Sequence, residues 1–137
     1  MTEINPEVPL GHVRVSDVMH TGILTTDPET PLRVVARLMA ERQVHCVAVA
    51  DEGLARRPWG VVSTLDIAAA VGSGEDLTAG EAAKTEVVTV GSDDDLAAAA
   101  QLMVKHGLSH LFVVDPRSGH LEGIVSALDV AAAFGDG

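Results

Sequence analysis

Apolar positions along this chain change spacing from short β-branched blocks to helical intervals and back, and the whole alternation occurs twice. The blocks "GILTT" and "EVVTV" are bounded by turn formers and predict strands. Each leads into a segment whose apolar residues recur three and four apart: Leu32, Val35 and Met39 in one, Leu96, Ala99, Ala100 and Met103 in the other. That is the spacing of one helix face. Thr30-Pro31 predicts the first helix start, and Ser92-Asp93 predicts the second, with acids placed against the helix dipole. "VHCVAVAD" and "LSHLFVVD" are apolar runs of strand length, followed by the loops "EGLARRPW" and "PRSGHLE" and the short strands "GVV" and "GIV". The alanine-rich "DIAAAV" and "DVAAAF" then close each copy as helices. The predicted order is strand, helix, strand, strand, helix, written twice.

The two copies superpose without a gap at an offset of 64 residues, from Leu32 on Leu96 through Met39 on Met103 to Asp51 on Asp115. The offset drops to 63 at Gly60 and Gly123, so one residue is missing from the second copy's strand-to-strand loop, where length varies at little cost. The repeat predicts a lead-in over 1–12, repeat 1 over 13–71, a polar, glycine-rich linker over 72–79 and repeat 2 over 80–134. Three short strands and two helices bury too little surface to stand alone. The expected fold is therefore one compact α/β (α+β) module, two pseudo-twofold-related β-α-β-β-α repeats packed through their sheets.

Composition narrows the function classes. With 47% hydrophobic residues and 2% aromatics (Trp59, Phe112 and Phe134), the core must be built from Val, Leu, Ile and Ala. A net charge of -11 argues against a nucleic-acid surface, which needs clustered Lys and Arg, yet leaves room for a small anion held by local donors. Cys46 is the one cysteine and reads as a small buried hydrophobe. No signal-peptide pattern and no apolar run of transmembrane length is present, so the expectation is a cytoplasmic protein with no membrane partner. Trp59, whose counterpart is Glu122, is assigned to the surface or a dimer contact, and Arg56-Arg57 to a solvent-facing loop. His106 and His110 are four apart, but Gly107 should end the helix between them and no third ligand accompanies them, so no metal site is expected. No nucleophile motif and no glycine-rich phosphate loop occurs, and the chain does not read as an enzyme.

The candidate chemistry sits in "GVVSTLD" and "GIVSALD", Ser63 with Asp66 and Ser126 with Asp129. A serine with an acid three residues on, at a strand-to-helix junction, is a capping box. The same pair offers a carboxylate that can accept from both hydroxyls of a ribose, beside helix N-terminal amides suited to phosphate. Capping and binding are compatible, and both readings stand.

This order of elements, with a strand closing in Asp and Gly-h-h-Ser-x-x-Asp (h, a hydrophobic residue) in each copy, resembles the CBS (cystathionine β-synthase) domain; two in tandem make a CBS pair, or Bateman module. The resemblance runs from about Val15 to Phe134. It implies a regulatory, energy-sensing module that binds an adenosyl ligand (AMP, ADP, ATP or S-adenosylmethionine), needs no catalytic cofactor, forms a homodimer, head-to-head or head-to-tail, and acts on a regulated protein. The alternative is a ligand-independent dimerisation or partner-interaction module. By resemblance, Asp66 and Asp129 bind ribose and Ser63 and Ser126 bind phosphate or ribose. The openings of the second strands add His45, Cys46, Ser109 and His110, and the first strands add Leu24 and Val88. The Asp129 cleft would hold His110 from its own half with His45, Leu24 and His20 from the other. The Asp66 cleft has Cys46 in place of His110 and so fewer donors, making the Asp129 cleft the expected better binder. Ala48 and Phe112 replace the proline common in the family's second strand.

Overall fold

A computed structural model of the chain describes residues 10–51 and 58–136. Arg56 and Arg57, and the first nine residues of the lead-in, lie outside the described residues. In chain order the elements are α1 (Val15–Val18), β1 (Thr25–Thr26), α2 (Leu32–Arg42), β2 (Cys46–Val49), β3 (Gly60–Ser63), α3 (Thr64–Ser73), α4 (Ala79–Ala82), β4 (Thr89–Gly91), α5 (Leu96–His106), β5 (His110–Val114), β6 (Leu121–Ser126) and α6 (Ala127–Asp136). The class is α+β, as expected. Each repeat supplies a three-stranded mixed sheet, β1-β2-β3 or β4-β5-β6, in which the first pair is parallel and the second antiparallel.

The strands and helices follow the apolar pattern. All four residues of β2 are buried, which is why it reads as a continuous apolar run rather than an alternating one. The inward stripes of α2 (Leu32, Val35, Met39) and α5 (Leu96, Ala99, Met103) fall on the predicted spacing. Gly107 ends α5 in the left-handed region at φ 66°, and Gln43 ends α2 there at φ 57°. Glycine takes that conformation freely, so the break between His106 and His110 falls where the sequence places it.

The chain forms two compact units, Ile23–Val87, and Met1–Gly22 together with Val88–Gly137. Repeats and units are thus different divisions of the chain. The arm that opens repeat 1 belongs to the unit holding the body of repeat 2, and the arm after α3 stays with the body of repeat 1. Within each unit the arm docks in the same way. Val15 of α1 and Ala79 of α4, one offset of 64 apart, are both fully buried in the two cores. The Leu96 N–H donates to the Val13 carbonyl, and the Leu32 N–H to the Leu77 carbonyl, so each arm supplies an acceptor to a first-turn amide of a long helix. His20 and Ile124 exchange both backbone hydrogen bonds at 2.9 Å, and Lys84 and Val61 exchange theirs at 3.0 Å. Each arm is thereby clamped to the strand that enters a Ser-x-x-Asp motif.

Several local expectations shift. α5 starts at Leu96 rather than at Ser92-Asp93, because the Asp94 carboxylate accepts the Gly91 N–H and folds these residues into a turn. α2 starts at Leu32, with Pro31 as its flanking residue rather than inside the first turn. α3 continues through Gly72 to Ser73 before Gly74 ends it at φ 73°, and α4 begins at Ala79, so helix occupies both ends of the expected linker. Trp59 is half-buried and packs on the core of its unit.

The arm clamp leaves no room for a side chain at Gly123. A Cβ there would meet the His20 carbonyl oxygen at 2.8 Å and the Met19 sulfur at 2.9 Å, whereas one at Gly22 meets nothing within 4 Å. Gly123→Ala should therefore cost about 1–3 kcal/mol, the range for overpacking, and Gly22→Ala within about 0.5 kcal/mol of nothing. Urea unfolding midpoints of the two variants measure the contrast.

Candidate functional site

Ser63 ends β3 with extended backbone (φ −107°, ψ 169°), and α3 begins at the next residue. Its hydroxyl accepts the Asp66 N–H at 3.3 Å, while Asp66 Oδ2 accepts the Ser63 N–H at 2.8 Å and the Ser63 hydroxyl at 2.9 Å. The second copy repeats the arrangement. Asp129 Oδ2 accepts from the Ser126 N–H at 2.8 Å and its hydroxyl at 3.0 Å, and the Asp129 N–H donates back at 3.2 Å. Both motifs are closed capping boxes.

The other carboxylate oxygen is also engaged. Lys84 Nζ donates to Asp66 Oδ1 at 2.8 Å, and His20 Nε2 lies 2.8 Å from Asp129 Oδ1. Lys84 and His20 are separated by the repeat offset of 64, so corresponding arm residues address corresponding carboxylates. The carboxylates are nearly covered, with side-chain exposures of 7% for Asp66 and 13% for Asp129, while the bases are open at 59% and 67%. A carboxylate has roughly four lone-pair positions, and three are taken here in each copy. Burial pushes the Asp66 carboxyl upward, but the Lys84 ammonium and the Ser63 donors outweigh it and hold the group below the ordinary carboxylate range.

The remaining candidate residues divide between the two units. In the Ile23–Val87 unit, Cys46 sits opposite Ser63 in the β2–β3 register. Its thiol is buried, and burial pushes its pKa up to about 12, so it is an inert neighbour rather than a nucleophile. His45 is exposed, its carbonyl accepts the Thr64 N–H, and its side of the unit carries a surface cavity of about 320 Å³. That cavity is lined by Met39, Gln43, His45, Thr64 and Ile67 among others, but by neither Ser63 nor Asp66. Leu24 packs half-buried on the core and its carbonyl accepts the Ala48 N–H.

In the other unit, His110 sits opposite Ser126 in the β5–β6 register, with its Nδ1 3.0 Å from the Ser109 hydroxyl. Val88 packs on the core, and its carbonyl accepts the Phe112 N–H. Phe112 is itself buried opposite Ile124 and belongs to the sheet interior. Asp129, Ser126, His110, Ser109 and His20 thus share one unit, and Asp66, Ser63, Cys46, His45, Leu24 and Lys84 share the other. Lys84 is the residue that sequence reasoning missed. The offset of 64 from His20 was the signal available for it.

A family model described as "CBS domain" matches residues 15–73 and again 79–136. The chain belongs to the CBS domain family. This CBS chain is 33% identical over 129 residues to a homoserine O-acetyltransferase of Methanohalophilus mahii; the match covers 93% of the chain and 26% of that protein. The chain thus spans about a quarter of the length of that curated relative. It is 31% identical over 120 residues to the CBS domain-containing protein YhcV of Bacillus subtilis, covering 85% of the chain and 82% of the relative. Among solved structures, it is similar to the CBS domain protein PAE2072 of Pyrobaculum aerophilum complexed with AMP, with TM-score 0.77, 28% identity, and coverage of 85% of this chain and 89% of that one. Among the described residues no helix is long and apolar enough to cross a membrane, and no group of three metal-ligating side chains converges.

The lowered Asp66 pKa has a consequence for stability. A carboxyl whose folded pKa lies below its unfolded value of about 3.8 stabilises the fold fully above that value and loses the contribution as pH falls through the folded pKa. Asp66→Asn should cost about 1–3 kcal/mol at pH 7. The difference from the natural chain should shrink below about pH 4. Urea unfolding from pH 7 to pH 2 measures both.

Proposed function

We propose that this CBS chain is a regulatory module that binds an adenosyl ligand (AMP, ADP, ATP or S-adenosylmethionine) through the carboxylates of Asp66 and Asp129. The observation that carries the reading is the duplicated carboxylate: two nearly covered acids held by the same serine and arm contacts at corresponding places. The likeness to a CBS domain protein solved with AMP supports the ligand class. One lone-pair position remains on each carboxylate for a ribose hydroxyl, and a second opens if the arm base releases Oδ1. Ser63, Ser126, Ser109, His110 and His45 complete the proposed ligand-binding set, with Cys46, Leu24 and Val88 as apolar neighbours. No catalytic step is assigned. Binding would act by shifting the population of conformations toward the liganded one.

A second reading has its own support. Both carboxylates already serve a capping box and a base, which is what a ligand-free interaction module would show. The two readings separate in a thermal-shift screen with AMP, ADP, ATP and S-adenosylmethionine at millimolar concentration. A ligand present at a hundred times its Kd stabilises by about 2.7 kcal/mol. The expected result is a raised midpoint for at least one compound, reduced in Asp66→Ala and Asp129→Ala. No shift with any compound leaves the interaction module as the surviving reading.

Self-association belongs to the same proposal. Leu65 and Val71 on α3 and Leu128 and Phe134 on α6 are exposed apolar side chains that a second copy would cover. Sedimentation velocity should give the mass of a homodimer, and a monomer at micromolar concentration would dismiss it.

A further inference from the structure

Resting on the adenosyl reading, we propose that Lys84 and His20 set the charge class of ligand at the two carboxylates. Lys84 makes the Asp66 site the one for a phosphate-bearing ligand such as a nucleoside monophosphate. His20 leaves the Asp129 site to an adenosyl compound without phosphate. The two bases stand on equivalent backbone. Each exchanges two hydrogen bonds with the residue two before the motif serine, Val61 or Ile124, and each side chain ends 2.8 Å from Oδ1. Backbone placement being equal, the difference between the sites at this position is the chemistry of the side chain.

That chemistry differs in the number of donors. An ammonium has three N–H donors, of which Asp66 takes one, and the lysine head stands largely in water. Two donors and a full positive charge remain beside a carboxylate that accepts ribose hydroxyls. The Asp66–Lys84 pair sums to zero, so an arriving phosphate meets a cation rather than bare negative charge. The His20 imidazole faces Asp129 with Nε2 and so has a single ring nitrogen left, Nδ1, where the lysine head has two further donors. The Asp129 site thus offers a phosphate at most one donor from its arm base, against two at the Asp66 site. On a chain of net charge -11 a phosphate depends on such local donors, because the distant field does not favour it. His110 beside Ser126 is a second imidazole in that unit, and its Nδ1 is engaged with Ser109.

The test compares AMP with adenosine, which differ by the phosphate alone, using calorimetric titration of the full chain. In the natural chain one site should prefer AMP over adenosine. Lys84→Met keeps the alkyl stem and should lower the ratio of AMP to adenosine affinity about tenfold, the size of one charge-assisted hydrogen bond. Lys84→Arg should retain the preference, and His20→Lys should create a second AMP-preferring site. Equal weakening of AMP and adenosine in Lys84→Met, or no gain in His20→Lys, overturns the assignment while the adenosyl reading survives. Failure of every adenosyl compound to bind the natural chain removes that reading and this inference together. Circular dichroism of each variant distinguishes an unfolded protein from a lost contact.

Discussion

A carboxylate placed three residues into a helix and covered by protein must be given donors, or it would take up a proton or unfold its surroundings. Asp66 and Asp129 meet this requirement in the same two ways: Oδ2 is bound by the serine that ends the preceding strand, and Oδ1 by a base on an arm that arrives from elsewhere in the chain. The first contact sets the strand-to-helix turn. The second fixes where the arm lies, together with the backbone clamp to Val61 or Ile124. Arm placement in turn brings Val15 and Ala79 into the two cores and delivers a carbonyl to a first-turn amide of α5 or α2. Turn, arm and core of each unit are therefore linked through one acid.

The repeat makes the consequence easier to see. Duplication preserved the positions that build this link: Ser63 and Ser126, Asp66 and Asp129, Val15 and Ala79, and the acid at 17 or 81 that accepts the arm's own amide at Arg14 or Thr78. It also preserved the requirement for a small residue where the arm crosses the strand, since a Cβ at Gly60 or Gly123 would press on arm atoms. Beside the link some side chains diverged, and the arm base kept its contact with Oδ1 while changing its chemistry. Cys46 against His110, and Lys84 against His20, are two such differences beside the Ser-x-x-Asp motifs.

Much of this was legible in the chain because it is local. Strand, helix, strand, strand, helix follows from spacing that acts over a few residues, and the Ser-x-x-Asp junctions were recognisable as caps and as candidate sites from their own seven residues. The exchange of arms was not legible. A four-residue helix such as α1 or α4 is too short to show a period, and nothing in the spacing of Val15 or Ala79 says which repeat's core will bury it. Lys84 went unseen for the same reason. Its partner lies 18 residues away, and only the register of the arm on β3 brings them together. The start of α5 was misjudged because Asp94 has two local options, a helix dipole or the Gly91 amide, and the shorter loop wins.

The same local and non-local division explains why capping does not argue against binding. A capping box uses the serine hydroxyl and one carboxylate oxygen, and it orients the carboxylate without consuming it. The second oxygen is the one exposed to choice, since its partner is an arm side chain that stands mostly in water. A buried acid with one oxygen locked by its own helix and the other held by a replaceable base is pre-oriented, so a ligand hydroxyl arriving there need not pay to order the carboxylate. The strength of the base then tunes how readily the second oxygen is shared. A lysine ammonium with three donors and an imidazole with one ring nitrogen turned to the acid differ in that respect. On the proposed reading, two sites with one backbone plan respond to different ligands through a single side chain each.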